Sequence, residues 1–221
     1  MRIGIVIALL AVVLVTSSVS FTACNSSGPA TFCDTACNND TLRFSIDHPD
    51  KPFVSIGMKN CLPDTITWSH NRLATKRKLV FSDLTGKEVH INKNFIRYYI
   101  KDTSYVWITF NDCISGQGFL VKIPFNKTGN IFRKNSGLNS LDPKFSVSEN
   151  LAVYTDKGNI LVEDMTTGKK ATMTFGRKIE EMDYIDIHET IDSINVTPDQ
   201  VWVKLKIDNE WQVKEKKITL Q

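Results

Sequence analysis

The chain has 221 residues, 42% of them hydrophobic and 23% charged, proportions that exclude a disordered, collagen-like or coiled-coil protein. Lys and Arg number 27 against 24 Asp and Glu, and a formal charge of +3 spread evenly along the sequence excludes the basic footprint of a nucleic-acid binder. Twelve Phe and many Val, Ile and Thr, in short runs broken by 11 Gly and 7 Pro, predict an all-β body.

The first element is the uncharged run Ile3 to Val15, which follows the single cation Arg2. Thirteen residues are too few for a resting transmembrane helix, which needs roughly 20, and fit the apolar core of a secretory signal. Small residues follow, and Ser18 and Ser20 permit cleavage after Ser20. A second cut is offered by Phe21-Thr22-Ala23-Cys24, which resembles the lipobox of bacterial lipoproteins. The resemblance implies a signal peptide over 1–23 and a mature N-terminus at Cys24, its thiol acylated with diacylglycerol. It also implies outer-membrane placement facing the periplasm, because Asn25 is not the Asp of inner-membrane retention. Cysteine parity points the same way. Of Cys24, Cys33, Cys37, Cys61 and Cys113, lipidating the first leaves four that can all pair in an oxidising compartment. Residues 24–39, with Asn25-Ser26-Ser27-Gly28-Pro29-Ala30, read as a lipidated flexible tether, and 40–221 as the all-β domain.

Within 40–221, turn signals recur every 8 to 12 residues, the spacing of all-β architectures. Phe145 to Lys169 resembles a β-propeller blade: strand, tight turn, strand, Asp156-Lys157-Gly158 turn, strand, Thr167-Gly168-Lys169 turn, with Lys170 to Phe175 as the outer strand. Leu79 to Lys87 and Phe119 to Gly129 repeat the strand that ends in a Thr-Gly turn, and Gly86, Gly129 and Gly168 are spaced 43 and 39 residues apart, near one blade. The resemblance implies a small propeller of about four blades, with Thr41 to Ile46 completing the three-stranded last repeat, Ser193 to Leu220. The alternative is an antiparallel sandwich or barrel whose hairpins share turn chemistry. Along Val201 to Ile207, Val201, Val203, Leu205 and Ile207 fall on one face, and Trp202, Lys204 and Lys206 on the other.

Cys33-x₃-Cys37 is spaced to close a small loop, leaving Cys61 for Cys113, although four cysteines permit three pairings. The acidic window Glu180 to Asp192 offers Asp183, Asp186 and His188 as metal ligands, without the glycine and spacing of a calcium loop. A solvated connector is the competing reading. His48, His70, His90 and His188 stand apart at no zinc spacing, and Ile114-Ser115-Gly116-Gln117-Gly118 lacks the first glycine of a nucleophile elbow. No cofactor is indicated. These features describe a lipid-anchored envelope module that holds a protein or glycan partner, with the membrane engaged through its lipid and no catalytic set. The alternatives are a metal-dependent periplasmic propeller enzyme of lactonase or lyase type, and a secreted eukaryotic β-domain with N-linked glycan on Asn126 or Asn195.

Overall fold

The structure, a computed structural model, describes residues 31–126, 128–175 and 186–221. The expected signal peptide over 1–23, the lipid site Cys24 and the metal candidate Asp183 lie outside the described residues.

The all-β expectation holds. Strands β1 (Leu42–Ser45), β2 (Phe53–Lys59), β3 (Leu62–Ser69) and β4 (Arg77–Val80) form a first antiparallel sheet in chain order. Strands β5 (Ile96–Lys101), β6 (Tyr105–Asn111), β7 (Gly118–Pro124) and β8 (Phe132–Lys134) form a second in the same way. Next come β9 (Gly137–Leu138), β10 (Phe145–Val147), β11 (Leu151–Asp156), β12 (Asn159–Asp164) and β13 (Lys170–Met173). The chain then reaches β14 (Ile191–Val196), β15 (Gln200–Ile207) and β16 (Glu210–Lys217). The third sheet has the order β13-β12-β11-β9 and the fourth β10-β14-β15-β16, so four sheets carry four strands each.

Turn chemistry explains the hairpins. Asn60-Cys61, Lys157-Gly158 and Asp208-Asn209 each place two successive residues at positive φ, the backbone of tight turns whose twist matches paired strands. Gly86 and Gly168 adopt nearly the same left-handed conformation, φ 74° and 76°, and each N–H donates four residues back, to Ser82 O and Asp164 O. The repeated Thr-Gly signal therefore marks a repeated turn at these two positions. Gly129, its third occurrence, is not left-handed.

Two strand assignments are corrected. Thr41 to Ile46 was expected to complete the last repeat, yet β1 pairs with β2, Leu42 opposite Ile56 and Ser45 opposite Phe53. A short connection makes that local pairing entropically cheap. The fourth strand of the last sheet is instead β10, which lies parallel to β14 with Phe145 opposite Ile194 and Val147 opposite Val196. The blade-like segment beginning at Phe145 thus divides: its first strand joins the fourth sheet and its remaining strands the third. A parallel pair needs a long crossover, and here the third sheet's β11 to β13 supply it.

Alternation of side chains stacks the sheets. Ile56 and Ile66 of the first sheet meet Val106, Ile108 and Val121 of the second in one buried cluster. Val153 and Val162 of the third sheet meet Val201, Val203 and Leu205 of the fourth in another, which confirms the inward face read from Val201 to Ile207. Trp107 and Leu120 meet Ala152 and Tyr154 between the second and third. Among the described residues, no buried cluster spans the first and fourth sheets. Where β7 approaches β9, backbone meets backbone: a Cβ added to Gly118 would lie 2.0 Å from Gly137 O.

The disulfides join Cys33 to Cys113 and Cys37 to Cys61, with Cα separations of 4.6 and 4.7 Å. The smaller Cys33-Cys37 loop does not form. Cys33 lies buried beside the β6–β7 connection, donating its backbone N–H to Cys113 O, whereas Cys37 meets the β2–β3 turn, where Asn39 Oδ1 accepts from Cys61 N. From Cys33 onward, the segment expected as a tether is therefore fastened to the domain at two points.

Candidate functional site

The strand Ile96-Arg97-Tyr98-Tyr99-Ile100 alternates, so Ile96 and Ile100 are buried toward the first sheet while Arg97 and Tyr99 turn to the opposite face. Register with β6 sets Arg97 opposite Thr109 and Tyr99 opposite Trp107. A guanidinium, a hydroxyl, a phenol and an indole thus share one patch of the second sheet. They form one wall of a cavity of about 410 Å³, a volume within the range of small-molecule sites. Leu138, Leu141, the turn Ser148-Glu149-Asn150 and Met165 line the other wall.

Several hydrogen bonds hold that second wall in place. Asn150 sits in the left-handed region at φ 68°, a conformation Asn tolerates, and its carbonyl accepts from Met165 N at 2.8 Å. Met165 O in turn accepts from Tyr105 Oη at 2.7 Å, linking the two sheets. Asn139, buried at the base, donates to Asn111 Oδ1 at 2.8 Å and accepts from Leu141 N at 3.0 Å, and Asn111 donates to Gly116 O. These amides are consumed internally and define the cavity without offering themselves to a ligand.

The first wall differs. Arg97 is exposed at the mouth, Tyr99 and Thr109 are half-buried, and Trp107 is 1% exposed. Trp107 Nε1–H, itself shielded from water, has no acceptor among the described residues, in contrast to the other deeply buried tryptophan, Trp68, whose Nε1–H donates to Pro124 O at 3.2 Å. Burial, with the Asp102 and Asp164 carboxylates nearby, holds the Tyr99 phenol above its ordinary range, so it remains a protonated donor at neutral pH. Indole and guanidinium nitrogens donate and never accept. Arg97 Nη1 also donates to Asn94 O at 3.3 Å and to Ile96 O at 3.4 Å.

The residues singled out in sequence are dispersed. His188 Nε2 lies 2.8 Å from Asp142 Oδ2, and its Nδ1 lies 3.1 Å from Ile191 O, so it braces the approach to β14. Its carboxylate neighbour is Asp142 of the β9–β10 connection and not Asp186, whose carbonyl accepts from Glu189 N in the short turn before β14. Among the described residues, no three His, Cys, Asp or Glu gather as metal ligands. His48 accepts from Asp50 N through Nδ1. His70 is held below the usual imidazole range by burial and then by the Arg72 guanidinium. Ser115, nearest in sequence to a nucleophile elbow, donates its hydroxyl to Asp112 Oδ2 at 2.5 Å and so builds the β6–β7 turn.

Arg97, Tyr99, Thr109 and Asn139 escaped the sequence reading. The alternation of β5 could have put Arg97 and Tyr99 on one face, but their opposition to Thr109 and Trp107 depends on a hairpin register that spacing does not specify.

No protein-family model matches the chain, and neither a curated protein nor a solved structure does.

Proposed function

We propose that the chain is a lipid-anchored binding module of the cell envelope, tethered through Cys24 in the outer membrane on its periplasmic side, with the cleft between the second and third sheets as its ligand site. One observation carries the anchoring: Cys33, Cys37, Cys61 and Cys113 bond among themselves, so the fifth cysteine, Cys24, is the one that disulfide formation does not use. Structural disulfides belong to oxidising compartments, and a thiol left over beside a signal-like segment is the one a lipid would occupy. Between Cys24 and the first bridge lie residues 25–32, which span roughly 26–29 Å at full extension. Such a tether keeps the domain close to its membrane.

The binding assignment rests on the cleft, where Arg97, Tyr99 and Thr109 on rigid strands face the apolar side chains of Leu138, Leu141 and Met165. A Cys24→Ala variant tests the anchoring. It should leave the membrane fraction for the soluble one and keep both disulfides. Equal membrane association of variant and native protein would contradict the proposal.

A further inference from the structure

We infer that the free face of the first sheet docks on the anionic headgroups of a lipid bilayer through Arg43, Lys76 and Lys78, a docking that rests on the proposed anchor to hold the bilayer within reach and is independent of the cleft.

Stacking leaves this face without a neighbouring sheet. The second and third sheets pack on both sides, whereas the first meets a neighbour only through the face of Ile56 and Ile66. Register sets out the opposite face. One rung crosses all four strands as Arg43, Ser55, Thr67 and Lys78, and the rungs beside it are Ser45-Phe53-Ser69 and Gly57-Thr65-Val80. Arg43, Lys78 and Val80 are exposed there, and Ser55, Thr65 and Thr67 half-buried.

The cations of this face are uncompensated. The Arg43 guanidinium carbon stands 3.7 Å from the centroid of the Phe53 ring, and Lys76 Nζ reaches the same ring at 5.9 Å. Stacking on Phe53 orients the Arg43 fork in advance and leaves its N–H donors to a ligand. The side chains of Arg43, Lys76 and Lys78 make no ion pair or hydrogen bond with another described residue. The three rungs carry no carboxylate. Asp64, beside them, accepts from the Thr65 hydroxyl at 2.6 Å and is outnumbered three to one. On the fourth sheet's free face, by contrast, Lys204 is paired with Asp192 at 3.1 Å.

Charge and reach together select the occupant. The same face of a second copy would set cation against cation. Arg43 and Lys78 lie three strand spacings apart, roughly 14 Å, which matches charges spread over a surface better than one small anion. The tether keeps such a surface near. Cys37 is bridged to Cys61 in the β2–β3 turn of this sheet, and residues 25–32 span roughly 26–29 Å at full extension, about the length of β3. Val80 is the one exposed large apolar side chain on the three rungs, so the docking is electrostatic. It sets the orientation of the domain, while the lipid sets its residence.

The test couples the mature chain, through the Cys24 thiol that the disulfides leave unused, to a maleimide-headgroup lipid in nanodiscs. Nanodiscs of phosphatidylcholine containing about one-third phosphatidylglycerol are compared with phosphatidylcholine alone. Lysines are acetylated by a water-soluble reagent, and peptide mass spectrometry reads each site. Lys76 and Lys78 should react severalfold more slowly on the anionic nanodiscs, with Lys157 and Lys217, exposed on other sheets, unchanged. Salt at about 1 M should remove the protection. Arg43→Gln should weaken docking about fivefold and return both lysines toward the unprotected rate. Equal rates on the two nanodiscs, or equal slowing of Lys157 and Lys217, overturns the docking. Protection by polyglutamate in solution with none from the anionic bilayer overturns it too, and assigns the face to an acidic protein segment. Because the lipid is supplied chemically, no outcome bears on the native lipid at Cys24, which the Cys24→Ala variant decides separately.

Discussion

Lys122 Nζ of β7 and Glu163 Oε1 of β12 lie 3.0 Å apart across the interface between the second and third sheets, and Lys170 Nζ meets the other Glu163 oxygen at 3.1 Å. Glu163 is 4% exposed, and the Lys122 ammonium also stands 4.4 Å over the Tyr105 ring and 4.9 Å over that of Trp107. This ion pair closes the interface on which the cleft depends.

Removing one partner should cost more than removing both. Glu163→Ala leaves the Lys122 ammonium unpaired among aromatic rings and should lower stability by about 2–3 kcal/mol. The double variant Lys122→Met with Glu163→Leu should recover part of that loss, because the one charge then left without its counterpart, Lys170, is exposed to water. Urea unfolding of the four members of the cycle measures the coupling. Additive losses would show that the two side chains do not interact.

Gly118 should not accept a side chain. Its Cβ would lie 2.0 Å from Gly137 O and 3.0 Å from Gly137 C, so the second and third sheets must part to admit it. Gly118→Ala should destabilise by about 1–3 kcal/mol or more. Gly57→Ala, whose Cβ would meet Thr65 O at an ordinary 3.6 Å, should be tolerated far better. Thermal unfolding of both variants supplies the comparison, and equal shifts would contradict the close backbone approach.

Asp112 makes stability depend on acid. Burial alone would raise its carboxyl, but hydrogen bonds from Ser115 Oγ, His90 N and Ser115 N outweigh it and hold the group below its ordinary range. Its folded pKa is thus depressed, so its contribution is fully present above the unfolded value, near about pH 4, and is lost as pH falls through the folded one. Asp112→Asn should destabilise at neutral pH, and the gap to the native protein should narrow below about pH 4. Denaturant midpoints from pH 2 to 7 would reveal it. A gap independent of pH would mean that the charge of Asp112 does not contribute.

The disulfides should staple unequally. The Cys33–Cys113 bridge spans 80 residues of sequence and the Cys37–Cys61 bridge 24, so in the chain-entropy account the first restrains the unfolded chain more. Cys33→Ser with Cys113→Ser should cost about 4–5 kcal/mol, and Cys37→Ser with Cys61→Ser about 3–4 kcal/mol. Peptide mapping without reductant should return these two linkages, and a Cys33–Cys37 peptide would contradict them.

What could be read in advance was local. Lys157-Gly158, Gly86 and Gly168 demand left-handed backbone, so the strands around them were legible from turn chemistry, and Val201, Val203 and Leu205 declared their buried face by alternation. What could not be read was pairing at a distance. Nothing in Phe145-Ser146-Val147 distinguishes a partner in β11 from the parallel partner in β14 that it takes, since its side chains suit either sheet. The cysteines illustrate the same limit: spacing favours the nearest partner, while the fold brings residue 113 to residue 33. The cleft depended on register in the same way, since Arg97 and Tyr99 come to stand opposite Thr109 and Trp107 only through the β5–β6 pairing.

The proposed lipid on residue 24 is tested most directly by the mass spectrum of the N-terminal peptide of the mature protein, isolated from envelopes. The account predicts a peptide that begins at Cys24 with diacylglycerol in thioether linkage and an added acyl chain on its amine. A peptide that begins at Phe21 with an unmodified Cys24 would contradict it.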